Sequence, residues 1–300
     1  MGTFRYLHYD VFTDRPLTGN QLAVFTGPTG LTTDDMARVT REMNFSECTF
    51  IFPAEQEGTD VRVRIFGLDG EMPFAGHPVI GSTFALAHEG FVKPPKARLI
   101  LGLGIGATPV DLEWKGSELA FAWMTQRAPR FGPTLDARDR MATVLGIEPA
   151  AICDGVPIQE VSCGLPFVFV PLESRAAVDQ CVLDPRANEA MFKDAGLTRG
   201  EIFVFSVETG EDDATVYSRM LDAGREDAAT GSASGPLGCY LVRYRLVSPG
   251  QAGHMVSRQG VKMGRPSRVH IRIAGTADAI TDVKVGGASV LVGDGRITSI

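Results

Sequence analysis

The sequence predicts an α/β (α+β) protein built from two related halves, each mixing short strands with a few helices. Three observations lead there. The chain has 300 residues, beyond the usual reach of a single core. It carries 34 glycines and 18 prolines, an excess that favours short strands and tight turns over a helix bundle. Two blocks about 155 residues apart resemble each other, so one unit is read as repeated along the chain.

In chain order, residues 6–12 are strand-like and run into the turn-rich DRPLTGN. LTTDDMARVTREM then reads as a helix: Thr32 or Thr33 can cap it, acids fill its first turn, and Met36, Val39 and Met43 share one side. CTFIF is a short apolar strand. In DVRVRIF, Val61, Val63 and Ile65 alternate with Asp60, Arg62 and Arg64, the period of a half-buried strand. EMPFAGHPVIGSTFALAHEG reads as a loop feeding a helix, with Pro78 allowed in the first turn and Gly90 beyond the end. ARLILG, ATPVDLEW and ELAFAWM are strands, and the Pro- and Arg-containing TQRAPRFGP reads as a connector between halves. Beyond it TLDARDRMATVLG is helical, IQEVSCG and PFVFVPL are strands, and residues 172–194 are helical in two pieces. EIFVFSV and ATVYSRML are strands, EDAATGSASGPLGCYLVRYRL is a second loop feeding a helix, and the strand-rich C-terminal stretch includes the alternating RVHIRI. The halves are drawn at residues 1–125 together with about 279–300, and at 126–278.

The composition narrows the function classes. A net charge of −7, a pI near 5.3 and no long basic run disfavour nucleic acid and anionic membranes as partners. The 5 cysteines are scattered without C-x-x-C spacing, which argues against a disulfide scaffold and a structural zinc site and fits a reducing cytoplasm. MGTFRYLHYDVF has neither the basic nor the apolar region of a signal peptide, and no apolar stretch reaches the roughly 18 residues of a membrane span.

The repeated blocks carry the candidate chemistry. R-I-F (64–66) precedes E-M-P-F-A-G-H (71–77) and a helix; R-M-L (219–221) precedes E-D-A-A-T-G-S (226–232) and a helix. Aligned on their glycines, Glu71 matches Glu226, Gly76 matches Gly231, and His77 matches Ser232. A glycine at a helix start lets an anion approach the unpaired backbone N–H groups. Two such starts facing one cleft between the halves would suit a substrate carboxylate or a developing oxyanion; the plainer alternative is two capped helices, with His77 or Ser232 closing the first turn. Glu47 sits in NFSECTF between Phe45 and Phe50, where desolvation by the rings would raise its pKa and make it a proton shuttle; a solvated loop acid is the alternative. Asp227 has the same ambiguity. The other histidines, His8, His88, His254 and His270, lack ligand spacing, so no metal is expected.

Three tempting motifs fail. G-L-G-I-G-A (102–107) fits a loose dinucleotide fingerprint, but the strand-like TPVDLEW follows it where a helix is required. ATGSASG lacks the Lys-Ser/Thr ending of a phosphate loop. It also places Ala233 where a G-x-S-x-G motif needs its nucleophile.

GNQLAVF (19–25), REMNFSECTF (41–50), RIFGLDGEMPFAGHP (64–78) and EDAATGSASGPLG (226–238), in this order and at these distances, resemble the phenazine-biosynthesis isomerase family, the PhzF-like proteins. The resemblance covers essentially the whole chain. It implies a diaminopimelate-epimerase-like fold of two pseudo-symmetric halves, each a curved mixed sheet around a central helix, with the site in the cleft between them, and a homodimer. Carried over by position, it makes Glu47 the acid/base, places His77, Asp227 and Ser232 among the polar groups lining the site, and makes Gly76 and Gly231 backbone donors. The implied chemistry is a cofactor-free isomerisation of trans-2,3-dihydro-3-hydroxyanthranilate, in which a glutamate moves a proton between ring carbons on one face. There are two departures: Gln21 stands where many relatives have proline, and LDAGRE between Met220 and Asp227 is shorter than the loop of the phenazine enzyme.

The expected function is therefore a metal- and cofactor-independent isomerase acting on a small carboxylate-bearing substrate. A racemase or epimerase of the same fold commonly uses two opposed thiols, and here the two loop positions hold His77 and Ser232. A non-catalytic small-ligand binder and a hydrolase acting through Ser232 are the remaining alternatives.

Overall fold

A computed structural model of the chain describes residues 2–197, 200–210, 213–222 and 224–299; Ala223, in the short stretch before Asp227, lies outside them. The chain divides into two compact units, Met1–Thr125 with Val285–Ile300, and Gln126–Lys284. The first contains β1 (Gly2–Val11), β2 (Asn20–Phe25), α1 (Thr33–Met43), β3 (Glu47–Pro53), β4 (Val61–Gly67), β5 (Gly70–Met72), α2 (Gly76–His88), β6 (Arg98–Leu103), β7 (Gly106–Lys115) and β8 (Glu118–Thr125). The second contains β9 (Arg130–Leu135), α3 (Arg138–Leu145), β10 (Ile158–Ser162), β11 (Pro166–Pro171), α4 (Arg175–Gln180), α5 (Pro185–Asp194), β12 (Ile202–Ser206), β13 (Val216–Asp222), β14 (Arg225–Asp227), α6 (Gly231–Arg243), β15 (Met255–Gln259) and β16 (Ser267–Gly275). β17 (Ile280–Gly287) leads back to the first unit, where β18 (Ser289–Ser299) pairs antiparallel with β1.

In the first unit β1 pairs antiparallel with β2, β2 parallel with β3 across α1, and β3 antiparallel with β4. The short β5 folds back on β4, and α2 then carries the chain to β6, parallel to β4. The second unit repeats the scheme. β10 pairs antiparallel with β11, β11 parallel with β12 across α4 and α5, and β12 antiparallel with β13. β14 folds back on β13, and α6 leads to β15, parallel to β13. The fold is thus α+β, with mixed sheets and helices in two pseudo-symmetric halves, and the repeat seen in the sequence is a repeat of topology.

Local chemistry explains the elements. Thr32 and Asp35 form a reciprocal capping box at the start of α1: Asp35 N–H donates to Thr32 Oγ1 at 3.2 Å, and Thr32 N–H to Asp35 Oδ2 at 3.0 Å. Asn44 ends that helix in the left-handed region at φ 53°. β11, and β12 up to Phe205, are apolar because both their faces are buried. Val168, Val170, Ile202 and Val204 face the cluster containing α3, α4 and α5, while Phe167, Phe169, Phe203 and Phe205 face the one containing α6. α2 and α6 are buried nearly all round, from Gly76 to Leu86 and from Gly231 to Leu241, as the central helices of their units. Glycines permit that fit: a Cβ on Gly81 would lie 2.5 Å from Leu22 Cδ2, and one on Gly238 2.5 Å from Ile271 Cγ2.

Three sequence expectations change. The connector TQRAPRFGP contains the start of β9, which pairs with β10. A register shift between Gln159 and Val161 lies opposite Gly132 and Pro133 and accommodates a proline that has no N–H to give the ladder. The helix expected from residue 134 begins at Arg138, after β9 has ended. Phe50 does not desolvate Glu47: three residues along a strand reverses the face, so Phe50 and Cys48 pack with Phe25 and Phe66. Thr49, on Glu47's own face, accepts a hydrogen bond from Ser82 of α2 at 2.9 Å. GLGIGA forms the antiparallel turn between β6 and β7, with a strand after it as the sequence predicts.

Candidate active site

Glu47, Gly76 and His77 fall in the first unit. Glu47 opens β3, and His77 is the second residue of α2, reached through the loop after β5. The α2 N-cap, Ala75, gives no side-chain hydrogen bond, so His77 does not close the helix's first turn. Its ring is 3% exposed, and Nε2 lies 3.4 Å from Glu47 Oε2, close but not aligned as a hydrogen bond. Glu47 keeps 16% of its side chain exposed, enough for a carboxylate to meet an incoming molecule. On the far side of the ring, Asn20 Nδ2 lies 3.2 Å from His77 Nδ1, and Ser46 Oγ donates to Asn20 Oδ1 at 3.3 Å. β2 and β3 run parallel with Leu22 opposite Glu47, which brings the start of both strands to the start of α2.

Asp227, Gly231 and Ser232 fall in the second unit. Asp227 ends β14, where its carboxylate Oδ2 accepts from Thr230 Oγ1 at 2.6 Å. Gln259, fully buried in β15, pins the same loop: its amide donates to Asp227 O at 2.8 Å and to Thr230 Oγ1 at 2.9 Å, and its Oε1 accepts from Thr230 N–H at 3.0 Å. Gly231 and Ser232 are the first two residues of α6, whose N-cap Thr230 again gives no side-chain cap. Ser232 is 6% exposed. Gln126 Nε2 donates to Gly231 O at 2.9 Å, fixing the first turn from outside the helix. Each unit therefore presents a helix start without a side-chain cap, whose unpaired backbone N–H groups favour a negative charge.

Asn20, Ser46, Thr230, Gln259 and Gln126 escaped the sequence reading. The motifs GNQLAVF and NFSE contain Asn20 and Ser46, but nothing in their spacing says that one ring lies between them and Glu47. The five thiols are free. Burial pushes the Cys48 and Cys181 thiols up to about 12 and Cys153 up to about 11. The hydrogen bond with Cys163, together with burial, raises Cys239 further. Among the described residues no group of three or more His, Cys, Asp or Glu is placed to hold a metal ion. Among them, too, no helix is long and apolar enough to cross a membrane.

Comparison with known proteins gives consistent matches over the whole length. The family described as phenazine biosynthesis-like protein, PhzC-PhzF, matches residues 9–295. A trans-2,3-dihydro-3-hydroxyanthranilate isomerase of Pseudomonas aeruginosa is 35% identical over 292 residues, covering 97% of this chain and 98% of that protein. A PhzF-family phenazine biosynthesis protein of Bacillus anthracis superposes with a TM-score of 0.87 at 25% identity, over 100% of both chains. A Pseudomonas aeruginosa protein described as a predicted epimerase superposes with a TM-score of 0.83 at 32% identity, over 99% of this chain and 100% of that one.

Proposed function

The chain belongs to the PhzF phenazine biosynthesis-like family, with its diaminopimelate-epimerase-like fold, and from that premise we propose that it is an isomerase that needs neither metal nor organic cofactor and moves a proton within a small carboxylate-bearing substrate. The observation that carries the reading is the Glu47 carboxylate, partly exposed and 3.4 Å from a buried imidazole whose helix start lacks a side-chain cap. Glu47 takes a proton from one carbon, the electron pair of that C–H bond delocalises through the substrate, and Glu47 returns the proton to a different carbon. The substrate's composition is unchanged, and one acid/base suffices for a shift on one face. In the first unit the Gly76 N–H and the His77 side chain, and in the second the Gly231 and Ser232 N–H groups and the Asp227 and Ser232 side chains, are the candidates for binding substrate and stabilising the negative charge that develops. The 35% identical relative supports trans-2,3-dihydro-3-hydroxyanthranilate, or a close analogue, as the first substrate to try.

The test is deuterium transfer. In D2O the wild type is expected to incorporate solvent deuterium into trans-2,3-dihydro-3-hydroxyanthranilate or its analogues at the receiving carbon. Glu47→Gln is expected to lower that rate by about 100-fold or more, the span of a general acid–base contribution. Equal incorporation by both proteins would remove Glu47 from the reaction.

A further inference from the structure

The hydrogen-bond chain behind Glu47 fixes which proton its histidine carries. Asn20 is 5% exposed and His77 3%, so the contact between them is shielded from water. Asn20 Nδ2 faces His77 Nδ1 at 3.2 Å, while Asn20 Oδ1 takes the hydroxyl hydrogen of Ser46 at 3.3 Å. With the amide oriented so that Nδ2 faces the ring and Oδ1 faces the Ser46 hydroxyl, Asn20 donates and Nδ1 accepts and carries no proton. In a neutral imidazole the remaining proton then sits on Nε2, the atom 3.4 Å from Glu47 Oε2.

We propose that Asn20 is a positioning residue for the proton transfer: its amide, oriented by Ser46, holds His77 in the Nε2–H tautomer, so that a donor rather than a lone pair faces the Glu47 carboxylate. The inference rests on the proton-transfer reading above. The donor faces Oε2 of the carboxylate and orients it. Without Asn20 the ring is free to turn its lone pair on Glu47, and lone pair against carboxylate is repulsive.

The primary measurement is the tautomer, read by nitrogen-15 NMR of imidazole-labelled protein, with the His77 signals identified by their loss in His77→Gln. The wild type is expected to show a protonated Nε2 and a bare Nδ1. Asn20→Asp replaces the amide donor by an acceptor of nearly the same shape and is expected to move the proton onto Nδ1. With trans-2,3-dihydro-3-hydroxyanthranilate, Asn20→Asp is expected to lower kcat at least about tenfold while KM stays within about twofold. A wild-type ring protonated at Nδ1, or an Asn20→Asp ring still protonated at Nε2 alone, overturns the proposal. Should Asn20→Asp fail to fold, Asn20→Ala replaces it: a mixed tautomer population supports the proposal, and an unchanged pure Nε2–H ring overturns it. The Glu47→Gln exchange experiment stands apart. If that variant still exchanges while Asn20→Asp flips the ring, the proton-transfer reading fails and the tautomer assignment stands.

Discussion

At Cys48, Cys153 and Cys181 the folded protein favours the thiol over the thiolate, because a charge at these sites has lost its water. The buried phenols of Tyr9, Tyr217 and Tyr240 are raised from their ordinary values chiefly for the same reason. The consequence for stability has a definite sign. The unfolded thiols ionise near their ordinary value of 9.0, whereas Cys48 and Cys181 in the fold hold their protons to about 12. Between these values the unfolded chain binds fewer protons than the folded one, so stability present below pH 9 is lost as pH rises toward 12. Each tenfold difference in proton affinity amounts to about 1.4 kcal/mol. Urea midpoints measured under reducing conditions are expected to stay level from pH 7 to about 8.5 and to fall steadily above pH 9; a level profile through pH 11 would contradict the burial of these groups. At neutral pH these raised thiols are poor nucleophiles and poor bases.

The central helices α2 and α6, which carry the candidate residues of their own units, both depend on glycine for their place. A helix interior disfavours glycine by about 1 kcal/mol relative to alanine, so its presence needs a compensating reason. Gly238 has one: a Cβ there would stand 2.5 Å from Ile271 Cγ2 and 3.0 Å from Ile273 Cγ1, both in the strand beneath. Gly238→Ala is expected to cost about 1–3 kcal/mol, read as a lower denaturant midpoint, despite alanine's better helix propensity. Gly27, whose added Cβ would meet nothing within 4 Å, serves as the control, and Gly27→Ala should change the midpoint little. Sequence and structure part company here in an instructive way. The central helices were legible as helices from Pro78 in the first turn of α2 and Gly90 beyond its end, and from the repeat of that block at α6. The reason for the glycines inside them lay in the facing strand, which no window along α6 contains.

Across the whole molecule the duplication extends to a charged pair that both units keep. Arg64 Nε and a terminal nitrogen grip Glu71 at 2.8 and 2.6 Å, and Arg219 grips Glu226 in the same two-pronged way at 2.9 and 2.8 Å. In each case β4 or β13 is joined to the short strand that leads into the central helix. The surroundings differ. Arg219 and Glu226 expose 7% and 17% of their side chains, whereas Arg64 and Glu71 expose 14% and 39%. Arg219 also donates to the carbonyls of Val178 and Cys181 at 2.9 Å, tying the end of α4 to the pair. Removing one partner of a buried pair leaves an uncompensated charge, so Arg219→Met is expected to cost about 3–5 kcal/mol. Arg64→Met should cost clearly less, since water reaches Glu71. Equal losses in paired denaturation curves would show that the repeat is energetically symmetric, against this expectation.

The sequence by itself determined what is local or repeated. The period-two runs gave strands such as β4 and β16, a threonine cap before an acidic first turn gave α1, and the matched blocks at Glu71 and Glu226 gave two units of one design. The motif around Glu47, with those around His77 and Ser232, was enough to identify the family. Only the tertiary structure decided who stands beside whom. Phe50 looked like Glu47's neighbour and lies on the opposite face of β3; Asn20, 57 residues from His77, stands against its ring. Gln259 orders the loop at Asp227 from 32 residues away, and Pro133 sits inside a strand because a bulge accepts it. The physical reason is range. Hydrophobic period, caps and turns act within a few residues, whereas hydrogen-bond partners are chosen where distant segments of the chain meet.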